Sequence, residues 1–213
     1  MESKQTTVIT ISRQMASGGS YIGKVVANRL GFRYLDRDIL NKAAELLGVS
    51  ATDIDILEKR PSGFFENILK SFSAGSPEAA YTPPITRPVY DKELFDIEAK
   101  IIKEICEYHD AVVVGRGGCF LLGDRPGVIK VFIHAPLEFR EMRLMEVHRY
   151  FAADASFNIK DYDERRRKFI RKMTGREWTD AENYHLCIDT SVVGLSMAAE
   201  IIIDLATRQK QPG

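Results

Sequence analysis

Arg13 and the run Ser17-Gly18-Gly19-Ser20 combine a cation with small residues able to let backbone N–H groups crowd around an anion. They follow the apolar stretch Thr7-Val-Ile-Thr-Ile-Ser12 and precede a run (Tyr21, Ile22, Val25, Val26, Leu30) with helical spacing. A strand, a tight glycine-bearing loop and a helix start together suit a phosphate group. The loop departs from the phosphate-binding pattern G-x-x-x-x-G-K-[ST]. With Gly18 on the second glycine, Arg13 stands on the first glycine and Gly19 on the lysine, while Ser20 keeps the place of the residue that touches Mg²⁺. The lysine of the pattern neutralises phosphate charge and follows it into the transition state. Arg13 is one candidate to replace it. Lys24, four residues past Ser20, is another, or else it is a solvated helix lysine.

Four further groups could complete the chemistry. Asp36, in Tyr34-Leu35-Asp36, lies at the end of a short apolar run, where open α/β sheets bind ligands, and could accept hydrogen bonds from a sugar or orient a basic partner. Asp38 reads as a helix N-cap for Ile39–Leu47. Arg116, within Gly115-Arg116-Gly117-Gly118, follows Val112-Val113-Val114; an arginine at the tip of a buried strand must meet an anionic ligand or a carboxylate. Arg140 and Arg143 are one turn apart and can face the same side of a helix, toward a phosphate or toward water. In Lys160–Lys168, three adjacent arginines cannot share a face, so one or two reach inward like a lid or all are solvated; Asp163 and Arg166 can pair at i, i+3.

These groups need a scaffold that gathers them. Phe32–Leu35, Ala111–Val114, Val128–Ile133 and His185–Ile188 read as further strands, and the unbroken valines suit one buried on both faces. Helical patterns lie between most of them: Asp91–Tyr108 with Leu94, Ile97, Ile101, Ile102 and Ile105 on one stripe, a helix opened by Pro136 and running to about Tyr150, the charged Asp161–Met173 ended by Gly175, and Leu195–Arg208 packing Met197, Ile201, Ile202 and Leu205. Alternating strands and helices define an α/β class with a parallel sheet flanked by helices. Arg60–Val89 breaks the rhythm with Pro61, Pro77, Pro83, Pro84 and Pro88. It reads as part of an inserted lobe with a short helix near Phe64–Phe72, whose Phe64, Phe65, Ile68 and Phe72 either pack on the core or cover an acceptor lobe or a homodimer contact.

Composition narrows the field. With 30 basic and 30 acidic residues the formal charge is zero, so no global field favours nucleic acid or an anionic membrane, and any anion affinity is local. No apolar run approaches the ~18 residues of a membrane span. Three scattered cysteines, Cys106, Cys119 and Cys187, argue against a disulfide framework or a zinc site and for a reducing, cytoplasmic setting.

Taken together the chain resembles the cytidylate kinase-like family, relatives of the nucleoside monophosphate kinases. The carriers are Ile11-Ser12-Arg13-Gln14 with Ala16-Ser17-Gly18-Gly19 and Ile22-Gly23, Tyr34-Leu35-Asp36, Gly115-Arg116-Gly117, Phe132-Ile133-His134-Ala135-Pro136-Leu137 with Arg140, and Asn183–Ser191. Gly117 stands where cytidylate kinases carry an acceptor-holding Asp, and Asp163-x-x-Arg166 matches the end of their lid, with Lys160, Glu164 and Arg167 as a shifted alternative. The resemblance implies a P-loop kinase-like fold of five parallel strands in the order 2-3-1-4-5 as a single domain over 1–213, with a helical acceptor insertion at 37–92 and a lid-like segment at 149–175. It implies ATP as phosphoryl donor, Mg²⁺ at Ser20, phosphate contacts from Ser17, Gly18, Gly19, Ser20 and Lys24, charge stabilisation by Arg13, Arg140, Arg143 and Arg166, and a nucleotide or small-molecule acceptor near Asp36, Arg116 and Asp163. Two functions follow: a nucleotide or small-metabolite kinase, or a nucleotide-binding sensor or scaffold without turnover.

Overall fold

The computed structural model describes residues 6–36, 40, 92–148 and 152–209. Five strands form one parallel sheet: β1 Val8–Arg13, β2 Arg33–Leu35, β3 Ala111–Val114, β4 Val128–His134 and β5 Leu186–Asp189, ordered β2-β3-β1-β4-β5. β1 is central, with Ile9 beside Val112 on one side and Ile129 on the other. Each of the five strands lies within a residue or two of its sequence-predicted range, and the order is the expected one.

Among the described residues the helices are α1 Gly19–Leu30, α2 Lys92–Tyr108, α3 Gly118–Leu121, α4 Leu137–His148, α5 Ala152–Thr174, α6 Thr190–Val193 and α7 Leu195–Gln209. Ile9 and Ile11 of β1, with Val112, Val114, Val131 and Ile133, pack against Ile22 and Val26 of α1 and Ala198, Ala199, Ile202 and Ala206 of α7. The opposite face carries Val8, Val113 and Val128 under Ile97, Ile101, Ile102 and Ile105 of α2. With both faces covered, near-continuous apolar strands are what the sheet requires.

Two readings are corrected. In α7, Met197 and Ile201 lie on the exposed side rather than in the core. The buried stripe is Ala198, Ala199, Ile202 and Ala206, whose three alanines let α7 approach α1 closely, with Leu205 only half-buried. The charged helix starts at Ala152 rather than Asp161, because Ala155 and Ile159 are buried with Met15 and Leu144 and extend its apolar side. The short α3 and α6 were not legible as helices. The Phe64–Phe72 helix, the Asp38 cap and most of the 37–92 insertion lie outside the described residues.

All three cysteines are free thiols. Burial pushes Cys106 up to about 12, against the opposing charge of Arg125. It pushes Cys119 up to about 11. Cys187 is exposed. The thiolate is the reactive form. Titration of native protein with an aromatic disulfide reagent is therefore expected to show one accessible thiol, with Cys106 and Cys119 reacting only on unfolding. More than one rapid equivalent in the native state would contradict this packing.

Candidate phosphate-binding site

The end of β1 is pinned before the loop begins. Gln14 N–H donates to the Ile133 carbonyl (3.0 Å) and Gln14 Oε1 accepts from Ala135 N–H (3.2 Å). The turn is closed from inside by Ser17, whose hydroxyl donates to the carbonyls of Gln14 (2.8 Å) and Ile133 (3.2 Å). Ser17 N–H also points at the Gln14 carbonyl (3.4 Å), so this residue faces the protein rather than a ligand.

Two residues of the loop are left-handed, Ala16 at φ 61° and Gly18 at φ 88°. For alanine this conformation costs on the order of 1–3 kcal/mol, a strain the surrounding bonds must hold. Gly18 is also the N-cap of α1, and a left-handed residue leading into a helix turns successive N–H groups toward one concavity. No side chain caps this end and no acidic residue lies in its first turn. The first N–H groups of α1 thus present uncompensated positive ends, a setting that fits an anion.

The loop is gripped from three directions. From the end of β5, Thr190 Oγ1 donates to the Ser17 carbonyl (2.8 Å) and lies 3.3 Å from the His134 carbonyl. Asp189 beside it accepts from Ser191 N–H (2.9 Å) and Oγ (2.6 Å), which caps α6 and holds its carboxyl below the usual carboxylate range. From α7, Leu195 lies against Gly18 so closely that any Cβ on Gly18 would collide with it. From α5, Asp163 Oδ1 accepts from Met15 N–H (2.8 Å).

Asp163 is joined there by two of the four arginines expected near phosphate, Arg140 and Arg166. Arg140, buried to 7% exposure, donates from Nε to the Ala135 carbonyl (2.9 Å) and from Nη1 to Asp163 Oδ2 (2.6 Å) and the Met15 carbonyl (3.3 Å). Arg166 donates to the Arg13 carbonyl, lies 3.5 Å from Asp163 Oδ1 and stands 5.4 Å over the Trp178 ring. Of the two lid registers, Asp163 and Arg166 turn inward, while Arg167 pairs with Glu164 and Glu177 at 3.6 Å on the half-exposed side.

Arg13 runs beside this loop, from Gly19 toward the tip of β3. Its Cβ and Cγ lie 2.5 and 2.9 Å from where a Cβ on Gly19 would sit, and its guanidinium reaches the backbone of Gly115 at the tip of β3. Lys24 stands 5.5 Å over the Tyr34 ring, while Tyr34 Oη donates to the Ser20 carbonyl (3.4 Å). Arg143 on α4 is half-buried; its Nε makes no hydrogen bond, and burial lowers its basicity against the opposing charges of Glu146 and Tyr21. Asp36 follows β2, its carbonyl taking Leu40 N–H (3.0 Å).

Arg116 meets a carboxylate. It is left-handed at φ 51°, pairs with the fully buried Glu98 of α2, and lies 6.0 and 5.9 Å from the Phe95 and Phe169 rings. Glu98 was missed in the sequence, although a lone carboxylate inside the stripe Ile97–Ile101 was a visible signal. Gln14, Thr190 and Leu195 were also missed as loop supports; for Thr190 the cue was Asp-Thr-Ser directly after a strand. Among the described residues no cluster of three or more His, Cys, Asp or Glu could hold a metal ion. No described helix is long and apolar enough to cross a membrane.

A central strand that feeds a phosphate-type loop, in a parallel sheet ordered 2-3-1-4-5, defines a P-loop kinase-like protein. The chain belongs to the cytidylate kinase-like family, which it matches over residues 8–192. Its fold resembles an uncharacterized protein from Eubacterium ventriosum (19% identity, 95% of this chain and 99% of that one, TM-score 0.70). It also resembles shikimate kinases from Acinetobacter baumannii, solved with shikimate (16%, 98% and 97%, 0.51), and Bacteroides thetaiotaomicron (12%, 94% and 98%, 0.52). No curated protein matches it in sequence. Family and fold together support a kinase-like, nucleotide-binding role.

Proposed function

We propose that the protein is a phosphotransferase that passes the γ-phosphate of ATP to a small acceptor, a nucleoside monophosphate of the cytidylate type or a small metabolite. The observation that carries this reading is the uncapped start of α1 under left-handed Gly18, with the Arg13 stem packed against Gly19. Backbone N–H groups of Gly18, Gly19 and Ser20 hold the β-phosphate. Arg13 and Arg143 meet the charge that develops on the transferring group, while Arg140, Asp163 and Arg166 fix the loop that presents it. The Ser20 hydroxyl, a hard oxygen at the helix start, fits one ligand position of Mg²⁺, which supplies neutralisation of phosphate charge when bound. Asp36 serves the acceptor side, and α5, docked on the loop through Asp163 and Arg166, acts as a clamp.

A second reading, a nucleotide binder without turnover, draws support from one observation. Arg116, Arg140 and Arg166 are committed to Glu98, to Asp163 and loop carbonyls, and to the Arg13 carbonyl. The many arginines of the chain therefore do not by themselves argue for catalysis.

Calorimetric titration with ATP and Mg²⁺, run beside an ADP-release screen against nucleoside monophosphates and small hydroxyl or phosphate metabolites, separates the two. The expected result is ATP binding with ADP release stimulated by at least one acceptor. Binding with no transfer to any acceptor favours the second reading. Absence of ATP binding sinks both.

A further inference from the structure

Arg13 and Gly19 occupy each other's space. A side chain at residue 19 would begin 2.5 Å from Arg13 Cβ and 2.9 Å from its Cγ, so residue 19 can carry one only if the stem at residue 13 or the loop shifts. The phosphate-loop pattern has the opposite arrangement, glycine at the position of Arg13 and lysine at the position of Gly19. The arginine stem then continues to Gly115, left-handed at φ 78°, where a Cβ would run into Nη1. The side chain is thus threaded past two glycines, from the end of β1 to the tip of β3.

We propose that Arg13 and Gly19 are a reciprocal exchange for the glycine and lysine of the pattern, so that the phosphate cation of this loop comes from the end of β1 instead of the first turn of α1. The inference rests on the nucleotide reading above and names the residue that replaces the lysine. Delivery from β1 places a planar, permanently charged guanidinium at the seam between the loop and β3. There it can hold two oxygens of a phosphoryl group at once, which a lysine ammonium does not. The cation therefore acts on the group in transfer more than on the bound triphosphate.

The test is a cycle of Arg13→Gly, Gly19→Lys and the double variant, read by melting temperature, ATP affinity with Mg²⁺, and phosphoryl transfer. Gly19→Lys alone is expected to melt about 4 °C or more below wild type, because an added side chain forces the arginine stem aside. Arg13→Gly is expected to lose about 100-fold or more in transfer with a smaller loss in ATP affinity. The double variant is expected to recover melting temperature and at least about 10-fold of the lost transfer, since it restores the pattern. Arg13→Gln, which keeps most of the stem and removes the charge, reads the electrostatic part alone if Arg13→Gly does not fold; it should melt near wild type and lose transfer to a similar degree.

Gly19→Lys melting as wild type, or a double variant no better than its worse parent, overturns the exchange. Wild-type protein that binds and turns over ATP, with Arg13→Gly and Arg13→Gln equally active, overturns this inference and leaves the phosphotransferase reading standing. Wild-type protein that binds no ATP overturns both.

Discussion

Arg140→Met is expected to destabilise the fold by about 3 kcal/mol, near the lower end for breaking a buried ion pair from one side. Arg140 is nearly buried, and its loss removes donors from Ala135, Met15 and Asp163 together. The orphaned carboxylate is the larger part of the effect. Asp163 stays in place, because Met15 N–H still donates to it and Arg166 remains 3.5 Å away, and those two contacts keep the cost from rising further. For a chain of this size about 3 kcal/mol lowers the melting temperature by about 6–12 °C. Adding Asp163→Leu to Arg140→Met should recover part of the loss, since an apolar pair is often no worse than a buried ionic one. The recovery is incomplete because Met15 N–H then lacks its acceptor. Thermal denaturation of the two single variants and the double decides it: strict additivity of the two losses would show that the pair is not coupled, and the account of α5 as a clamp on the loop would fall.

This coupling marks the boundary between what the sequence discloses and what it withholds. The positions of the strands, the loop after β1 and most helix stripes were legible because each depends on residues close together in the chain. An unbroken β-branched run such as Val112-Val113-Val114 suits a strand covered on both faces, and Gly18-Gly19 after an apolar strand suits a tight turn before a helix. The arginines were not legible in the same way. Their type announces a charge, but the group that takes the charge lies far off: Asp163 is 23 residues from Arg140, and Arg13 is 153 from Arg166. For Arg116 the sequence left an anion or a carboxylate open, and the fold chose the carboxylate of Glu98. In α7 the error was one of phase. Met197, Ile201 and Leu205 also recur at helical spacing, and only the need for close approach to α1 selects the alanine stripe beside them.

Gly18→Val is expected to remove nucleotide binding, and Gly31→Val supplies the control that shows why. Both glycines are left-handed, at φ 88° and φ 67°, and both flank α1, one at each end. A β-branched residue in that conformation costs on the order of 1–3 kcal/mol at either site. The surroundings differ. Around Gly31 nothing lies within 4 Å of an added Cβ, so strain is the whole effect. At Gly18 the added atoms meet the side-chain tip of Leu195, the first residue of α7, so either that side chain turns aside or the loop shifts or releases its left-handed turn. Because Gly18 is itself the left-handed N-cap, relief of the valine's strain there re-aims the N–H groups of Gly19 and Ser20 that the uncapped helix end presents. Gly31→Val should therefore melt lower than wild type yet bind ATP within about 3-fold, a difference of less than about 1 kcal/mol. Gly18→Val should melt lower still and lose about 100-fold or more in affinity, because no other part of the loop can supply the same convergence of donors. Calorimetric titration at a temperature where both variants are folded makes the comparison. Equal affinities in the two variants would mean that the start of α1 does not hold the nucleotide, whatever their melting temperatures.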